Sequence, residues 1–156
     1  MNFKSEKELE EFLLSKCKEA LIETEQEVHR IIDGFLKEYY AEYDPVEYIR
    51  TYQFLNSLVM TDVKKVGNGY EAEVYFDINM INYPDKVHGK SGRLHKKEAS
   101  DKEILENNLM GGYPHGWYED AEGEGVWIKA MPVIDVSAIN ILEQRLKAQG
   151  IPIKKK

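Results

Sequence analysis

The stretch Tyr48-Ile-Arg-Thr-Tyr-Gln-Phe-Leu-Asn-Ser-Leu58 separates a long helical pattern from the first strand pattern. Pro45, just before it, ends the helix because proline fits poorly in a helix interior. Val59-Met-Thr-Asp-Val63, just after it, opens a strand. We therefore predict an α+β fold in one domain, residues 1–156. A long N-terminal helix and a C-terminal helix pack on one small, mainly antiparallel sheet, with a long irregular excursion.

The N-terminal region, residues 1–44, has the pattern of one long helix. Ser5 followed by Glu8 is a capping-box signature. Apolar residues then recur at steps of three and four as far as Tyr39, which predicts a helix from about residue 6 to about residue 41. Part of this stripe should pack on the sheet and part should be left for a partner. Cys17 on the stripe is expected in the core, and Gly34 should mark a bend or close packing.

The sheet is predicted within residues 57–133. Two strand patterns, 58–65 and 70–78, flank Gly67-Asn-Gly69, a hairpin signal. The run Val126–Val133 has the apolar, β-branched composition of a returning strand. Asp135 should then N-cap a final helix over 135–149, which Gly150 and Pro152 end.

Residues 79–125 form the irregular excursion, with seven of the eleven glycines and no sustained period. One short helix is expected near 101–109. His88, His95 and His115 also lie here, without the tight ligand spacing typical of a metal site. We therefore expect no metal and no cofactor. Glycine-rich Gly111–Tyr118 lacks the Lys-Ser/Thr pair of a nucleotide-binding loop, and it is interpreted as a surface loop or a subunit contact.

The composition of the 156 residues is that of an ordinary folded protein, with 42% hydrophobic and 31% charged side chains. This excludes the disordered and collagenous classes. No apolar run reaches the length of a membrane span, and the first residues do not resemble a signal peptide. A cytosolic protein without a membrane partner is therefore expected.

The net charge of −7 disfavours a general nucleic-acid binder, and no direct sequence-specific nucleic-acid contact is expected. The charge is unevenly distributed: residues 1–50 carry 13 acidic and 7 basic side chains, and residues 83–102 carry 3 acidic and 6 basic. An acidic helix and a basic loop on one chain favour head-to-tail association of copies. The basic contact candidates are Arg93, Lys96 and Lys97.

Two other interpretations of these residues stay open. The excursion, with Arg93, His95, Lys96 and Lys97, would suit a small nuclease or toxin-like enzyme, although the acidic net charge argues against it. The aromatic cluster that includes Tyr39, Tyr40, Tyr52 and Phe54 would suit a stacking platform for single-stranded nucleic acid. Its acidic neighbours favour instead a packing role, in which the cluster locks the end of the long helix over the sheet.

The element order, with Arg50 and Thr51 followed by Leu55 and Ser57, resembles the phage tail-completion and head–tail joining family. That family commonly has Thr-Gly-x-Leu-x-x-Ser at this joint, whereas this chain has Tyr52 at the glycine position. The resemblance implies a non-enzymatic structural protein without cofactors that forms rings with copies of itself and contacts neighbouring head or tail proteins. It implies a location in the host bacterial cytoplasm during assembly and then in the virion. Contacts are expected at Arg50, Tyr113, Trp117 and Tyr118.

Overall fold

The computed structural model describes residues 3–41, 52–82, 100–110 and 125–153, and the α+β class is confirmed. Four helices and four short strands are present in these residues. In chain order the elements are α1 (Glu6–Ala41), α2 (Gln53–Asn56), β1 (Leu58–Met60), β2 (Lys64–Val66), β3 (Gly69–Glu71), β4 (Val74–Phe76), a 3₁₀ turn (Ile78–Met80), α3 (Asp101–Met110) and α4 (Val126–Ala148).

Helix α1 has the predicted length and the predicted cap. The Ser5 hydroxyl accepts the Glu8 N–H at 3.2 Å, and the Glu8 carboxylate accepts the Lys4 N–H at 2.7 Å. One detail of the prediction is wrong. Cys17 is exposed, because the first turns of α1 extend past the region that α4 covers. A Cβ added at Gly34 would meet no atom of the described residues within 4 Å, so nothing in them supports close packing at this glycine, and the alternative, a bend, stays a prediction.

The strands form one interrupted hairpin in place of a single continuous sheet. β1 pairs with β4 through Leu58↔Phe76, and β2 pairs with β3 through Lys64↔Glu71, both antiparallel. Between the two ladders, residues 61–63 lie opposite residues 72–73, so one strand carries an extra residue, as in a β-bulge. The two ladders are consequently separate two-stranded sheets.

The hairpin turn is centred one residue earlier than the Asn-Gly signal implies. Gly67 has a φ of +57° and Gly69 already belongs to β3. Gly67 and Asn68 are therefore the two central residues, with glycine first, which is the arrangement of a type II′ turn.

The predicted strand Val126–Val133 is wrong, because these residues are the first turns of α4. A short apolar run fits a strand or a buried helix equally well by periodicity alone. Val126, Ala130 and Ile134, four residues apart, contact the core, which is helical spacing. Asp135 lies inside the helix and is not its N-cap. Pro132 is accommodated within α4 on its exposed side.

The predicted end of α4 is confirmed. Gln149 is the C-cap and Gly150 has a φ of +81°. The Ile151 N–H donates to the Leu146 carbonyl at 3.0 Å, and the Gly150 N–H donates to the Lys147 carbonyl at 2.9 Å. This pair of bonds is the Schellman motif, which favours glycine at the left-handed position.

The core lies where the C-terminal half of α1, the hairpin, α3 and α4 meet. Its buried members are Ile32, Leu36, Phe54, Leu58, Ile81, Leu105, Val126 and Ala130. Phe54 stacks on Phe76 at 5.2 Å between ring centroids, and Tyr39 meets Phe54 edge-on at 5.8 Å. The aromatic residues thus join the end of α1 to the hairpin, which confirms their predicted packing role for the rings that the structure describes.

The joint between α1 and the hairpin is a buried structural element. Tyr52, at the glycine position of the resembled motif, has a left-handed backbone with a φ of 55°. Phe54 is 1% exposed, and Leu55 of the resembled motif is half-buried and packs against the core. Ser57 is fully buried, its hydroxyl donating to the Phe54 carbonyl at 2.8 Å and its own carbonyl accepting the Asp77 N–H.

Candidate interaction surfaces

The predicted contact residues lie outside the described residues, so those assignments stay predictions. They are Arg50, Arg93, Lys96, Lys97, Tyr113, Trp117 and Tyr118, and the same holds for His88, His95 and His115. Two apolar surfaces and one buried carboxylate stand out in the described part of the chain.

The first surface is an apolar stripe on the outer side of α4, formed by Ile128, Pro132, Val136 and Ile139. Val136 and Ile139 are 67% and 72% exposed, and Ile128 is 41% exposed. With about 3.6 residues per turn, this outer stripe lies nearly opposite the side that carries Val126 and Ala130 into the core. α4 is therefore apolar on two opposite sides, only one of which packs on the rest of the described chain.

Sequence reasoning missed the outer stripe although its signal was present. Ile128, Pro132, Val136 and Ile139 follow at steps of four, four and three, the spacing of one helix face. The signal was lost because residues 126–133 were assigned to a strand, which divided the stripe between two elements.

The second surface is a groove beside the first turns of α1. Its volume is about 340 Å³, and it is lined by Leu9, Leu13, Leu14 and Cys17, by Glu6 and Glu10 of the same helix, and by Asn68 of the hairpin turn. Leu9 is 38% exposed. This groove continues the face of α1 that becomes buried from Ala20 onward. That a partner covers it stays a prediction.

The relative placement of α1 and α4 explains why the groove is open. Arg145 near the end of α4 forms an ion pair with Glu23 of α1, 3.1 Å from Nε to Oε2. Val126 at the start of α4 shares the core with Leu36 of α1, so the two helices are antiparallel. Since α4 ends at Ala148, residues 6–19 of α1 extend beyond it, and the hairpin turn is their neighbour there.

A contact between α1 and β3 holds the hairpin turn near the groove. The Lys18 ammonium lies 6.0 Å from the centre of the Tyr70 ring, at the outer limit of a cation–π contact. Tyr70 and Lys65 are directly opposite in the β2–β3 ladder. The wall that carries Asn68 is thus fixed to α1 through the strand that follows the turn.

Glu25 is a buried carboxyl group on α1, and its residue is 8% exposed. Its Oε1 atom has no hydrogen-bond partner in the described structure. Burial raises the pKa of this carboxyl above its ordinary value of 4.5, and nearby Asp62 raises it further, while a backbone hydrogen bond at Thr61 and the proximity of His29 act in the opposite direction. The group destabilises the fold when it is ionised.

The described residues contain no group of three or more His, Cys, Asp or Glu side chains placed to hold a metal ion. Across the same ranges, none of the helices is both long enough and apolar enough to span a bilayer.

Comparison with known proteins gives one finding. No curated protein and no solved structure matches the chain. The model of the YomN family matches residues 5–146, which include the long helix, the hairpin and nearly all of α4. The chain therefore belongs to the YomN family, a phage protein family of the Bacillus SPβ, prophage-like kind.

Proposed function

We propose that this phage protein is a non-enzymatic structural component that acts in head–tail joining or tail completion by assembling into a ring. The observation that carries the proposal is the outer stripe of α4. An exposed apolar helix face costs solubility in a protein that acts alone, whereas burial of such a face at a subunit contact is favourable by about 25 cal/mol per Å² of apolar surface.

The partners are copies of this chain and the neighbouring head or tail proteins. The acidic segment 1–50 and the basic segment 83–102 favour head-to-tail association, because opposite charges then meet at each contact. The protein would assemble in the bacterial cytoplasm and then remain in the virion. The family membership supports the phage setting, and the charge distribution supports the mode of association.

The test removes the protein from the phage or prophage that encodes it and images the particles after induction. We expect DNA-filled heads and tails that are separate, with joining restored by the unmodified chain and not by a Val136→Ser/Ile139→Ser variant. Gln144→Ser, on the same helix outside the outer stripe, is the matched control and should restore joining. Joined, infectious particles in the absence of the protein would contradict the proposal.

A small nuclease working from His88, His95 and His115 is the rival function. Replacing all three histidines by Ala separates the two. A structural protein should still restore joined particles, whereas an enzyme would lose its effect.

A further inference from the structure

We propose that the outer stripe of α4 in one copy docks in the α1 groove of the next copy. This inference rests on the proposed self-assembly and specifies which surfaces meet. Both surfaces are exposed and apolar, and they differ in shape: one is the convex side of a helix and the other is concave.

The two surfaces match in length. Residues 6–19 of α1, which extend beyond α4, span about 20 Å at a rise of about 1.5 Å per residue. The outer stripe from Ile128 to Ile139 spans about 17 Å by the same rise. A neighbouring α4 can therefore lie along the free part of α1 within the length that the groove provides.

Charge favours this pairing over contact between two grooves. Residues 6–19 carry five glutamates and three lysines, and Glu6 and Glu10 line the groove. Packing two grooves together would bring these carboxylates of two copies close to each other, which is unfavourable.

The outer stripe has basic residues along one edge. Lys129 and Lys147 are eighteen residues apart, which is five helical turns, and both adjoin the side of the stripe that carries Val136. Lys147 is bonded to Glu143 at 2.6 Å, and its side chain is 53% exposed. The Glu143 side chain of this pair is only 12% exposed, so we expect the pair to persist on docking, with Lys147 facing the groove carboxylates of the neighbouring copy from that position.

The pairing leaves each copy able to make two contacts. The outer stripe faces away from the side of α4 that packs into the core, and the groove lies beyond the end of α4, so one chain can use both surfaces at once. Contacts between two different surfaces repeat from copy to copy and give a ring if the rotation closes. With about four apolar side chains on each side, a single contact is small and weak, and closure of the ring adds to its stability.

Cys17 makes the pairing directly testable, because the chain has no other cysteine and this one is exposed on the groove wall. The unmodified chain is mixed with a Cys17→Ser/Ile139→Cys variant and oxidised mildly, and disulfide-linked peptides are identified by mass spectrometry. Any bridge between positions 17 and 139 must then join two different chains. The matched control is Cys17→Ser/Gln144→Cys, whose thiol is exposed on α4 outside the outer stripe.

We expect the yield of the bridge between positions 17 and 139 to exceed the control yield by on the order of tenfold, because docking raises the local thiol concentration. Bridges only between two copies of position 139 would overturn the docking and indicate a two-fold contact between α4 helices. The yield of the bridge between positions 17 and 139 could equal the control yield while the molar mass of the chain still rises with concentration in light scattering. That result would overturn the docking but not the self-assembly. A bridge yield equal to that of the control, in a chain that stays monomeric at all concentrations, would refute both the docking and the self-assembly.

Discussion

Replacing Gly34 by Ala should stabilise the protein. Gly34 lies in the interior of α1, two residues from both Ile32 and Leu36, which are buried. Glycine in a helix interior is unfavourable because its backbone loses the most conformational freedom on folding. The added methyl group would meet no atom within 4 Å in the described part of the chain, so no steric cost from those residues opposes the gain.

The magnitude follows from the helix propensities. Alanine is favoured over glycine by about 1 kcal/mol in a helix interior. For a chain of this size, that gain corresponds to a rise of about 2–4 °C in the midpoint of thermal unfolding.

The assay is thermal and urea unfolding, followed by circular dichroism. The matched control is Gly150→Ala, whose glycine is at a φ of +81° in the C-terminal cap of α4. That substitution forces a Cβ into the left-handed region and should lower stability by about 1 kcal/mol. The two changes are chemically identical and should act with opposite sign.

A loss of stability in Gly34→Ala would refute the reasoning. It would mean that Gly34 allows a bend in α1, or that another part of the chain occupies the space beside it. Equal effects at Gly34 and Gly150 would show that backbone conformation does not decide the outcome.

Three further predictions concern single residues. Phe54→Ala should cost about 3–5 kcal/mol in urea unfolding, since the ring is fully buried and stacked on Phe76. Glu25→Gln should raise stability at neutral pH. Because the folded-state pKa of Glu25 is raised, this group contributes to the free energy of unfolding below pH 4.5, and that contribution is lost as pH rises through the folded pKa. The free energy of unfolding of the variant should therefore fall less than that of the unmodified chain between mildly acidic and neutral pH. Tyr52→Gly should be more stable than Tyr52→Ala by about 1 kcal/mol, because the position is left-handed; equal midpoints would contradict this.

The sequence predicted α1 and the hairpin well because their signals are local. The cap at Ser5 and the long helical period define α1, and the Gly67–Gly69 segment fixes the turn to within one residue. The bulge opposite residues 72–73 carries no local signal. A bulge depends on how the two strands pair, which the hydrophobic period of either strand does not report.

The start of α4 could not be decided from the same kind of signal. Val126–Val133 is apolar and rich in β-branched residues, and such a run is compatible with either a strand or a helix. Burial on the core side decides for the helix, since Val126 and Ala130 fill space beside Leu36. Once residues 126–133 are assigned to the helix, the outer stripe forms one continuous surface.

The environment of Cys17 shows a further limit of sequence patterns. The residue lies on the apolar stripe of α1, which is why a core position was expected. Periodicity identifies the face of a helix but not how far along the helix that face is covered. Here the cover ends where α4 ends, and Cys17 becomes part of the groove.

The most direct test of self-assembly through α4 is the molar mass of the purified chain. It is measured by light scattering coupled to size-exclusion chromatography over roughly a hundredfold range of concentration, since association responds to concentration by mass action. We predict that the mass of the unmodified chain and of Gln144→Ser rises with concentration, whereas Val136→Ser/Ile139→Ser stays monomeric with an unchanged unfolding midpoint. The account would be contradicted if the molar mass of the double variant rose as much as that of the unmodified chain. It would also be contradicted if all three proteins had the mass of a monomer at every concentration.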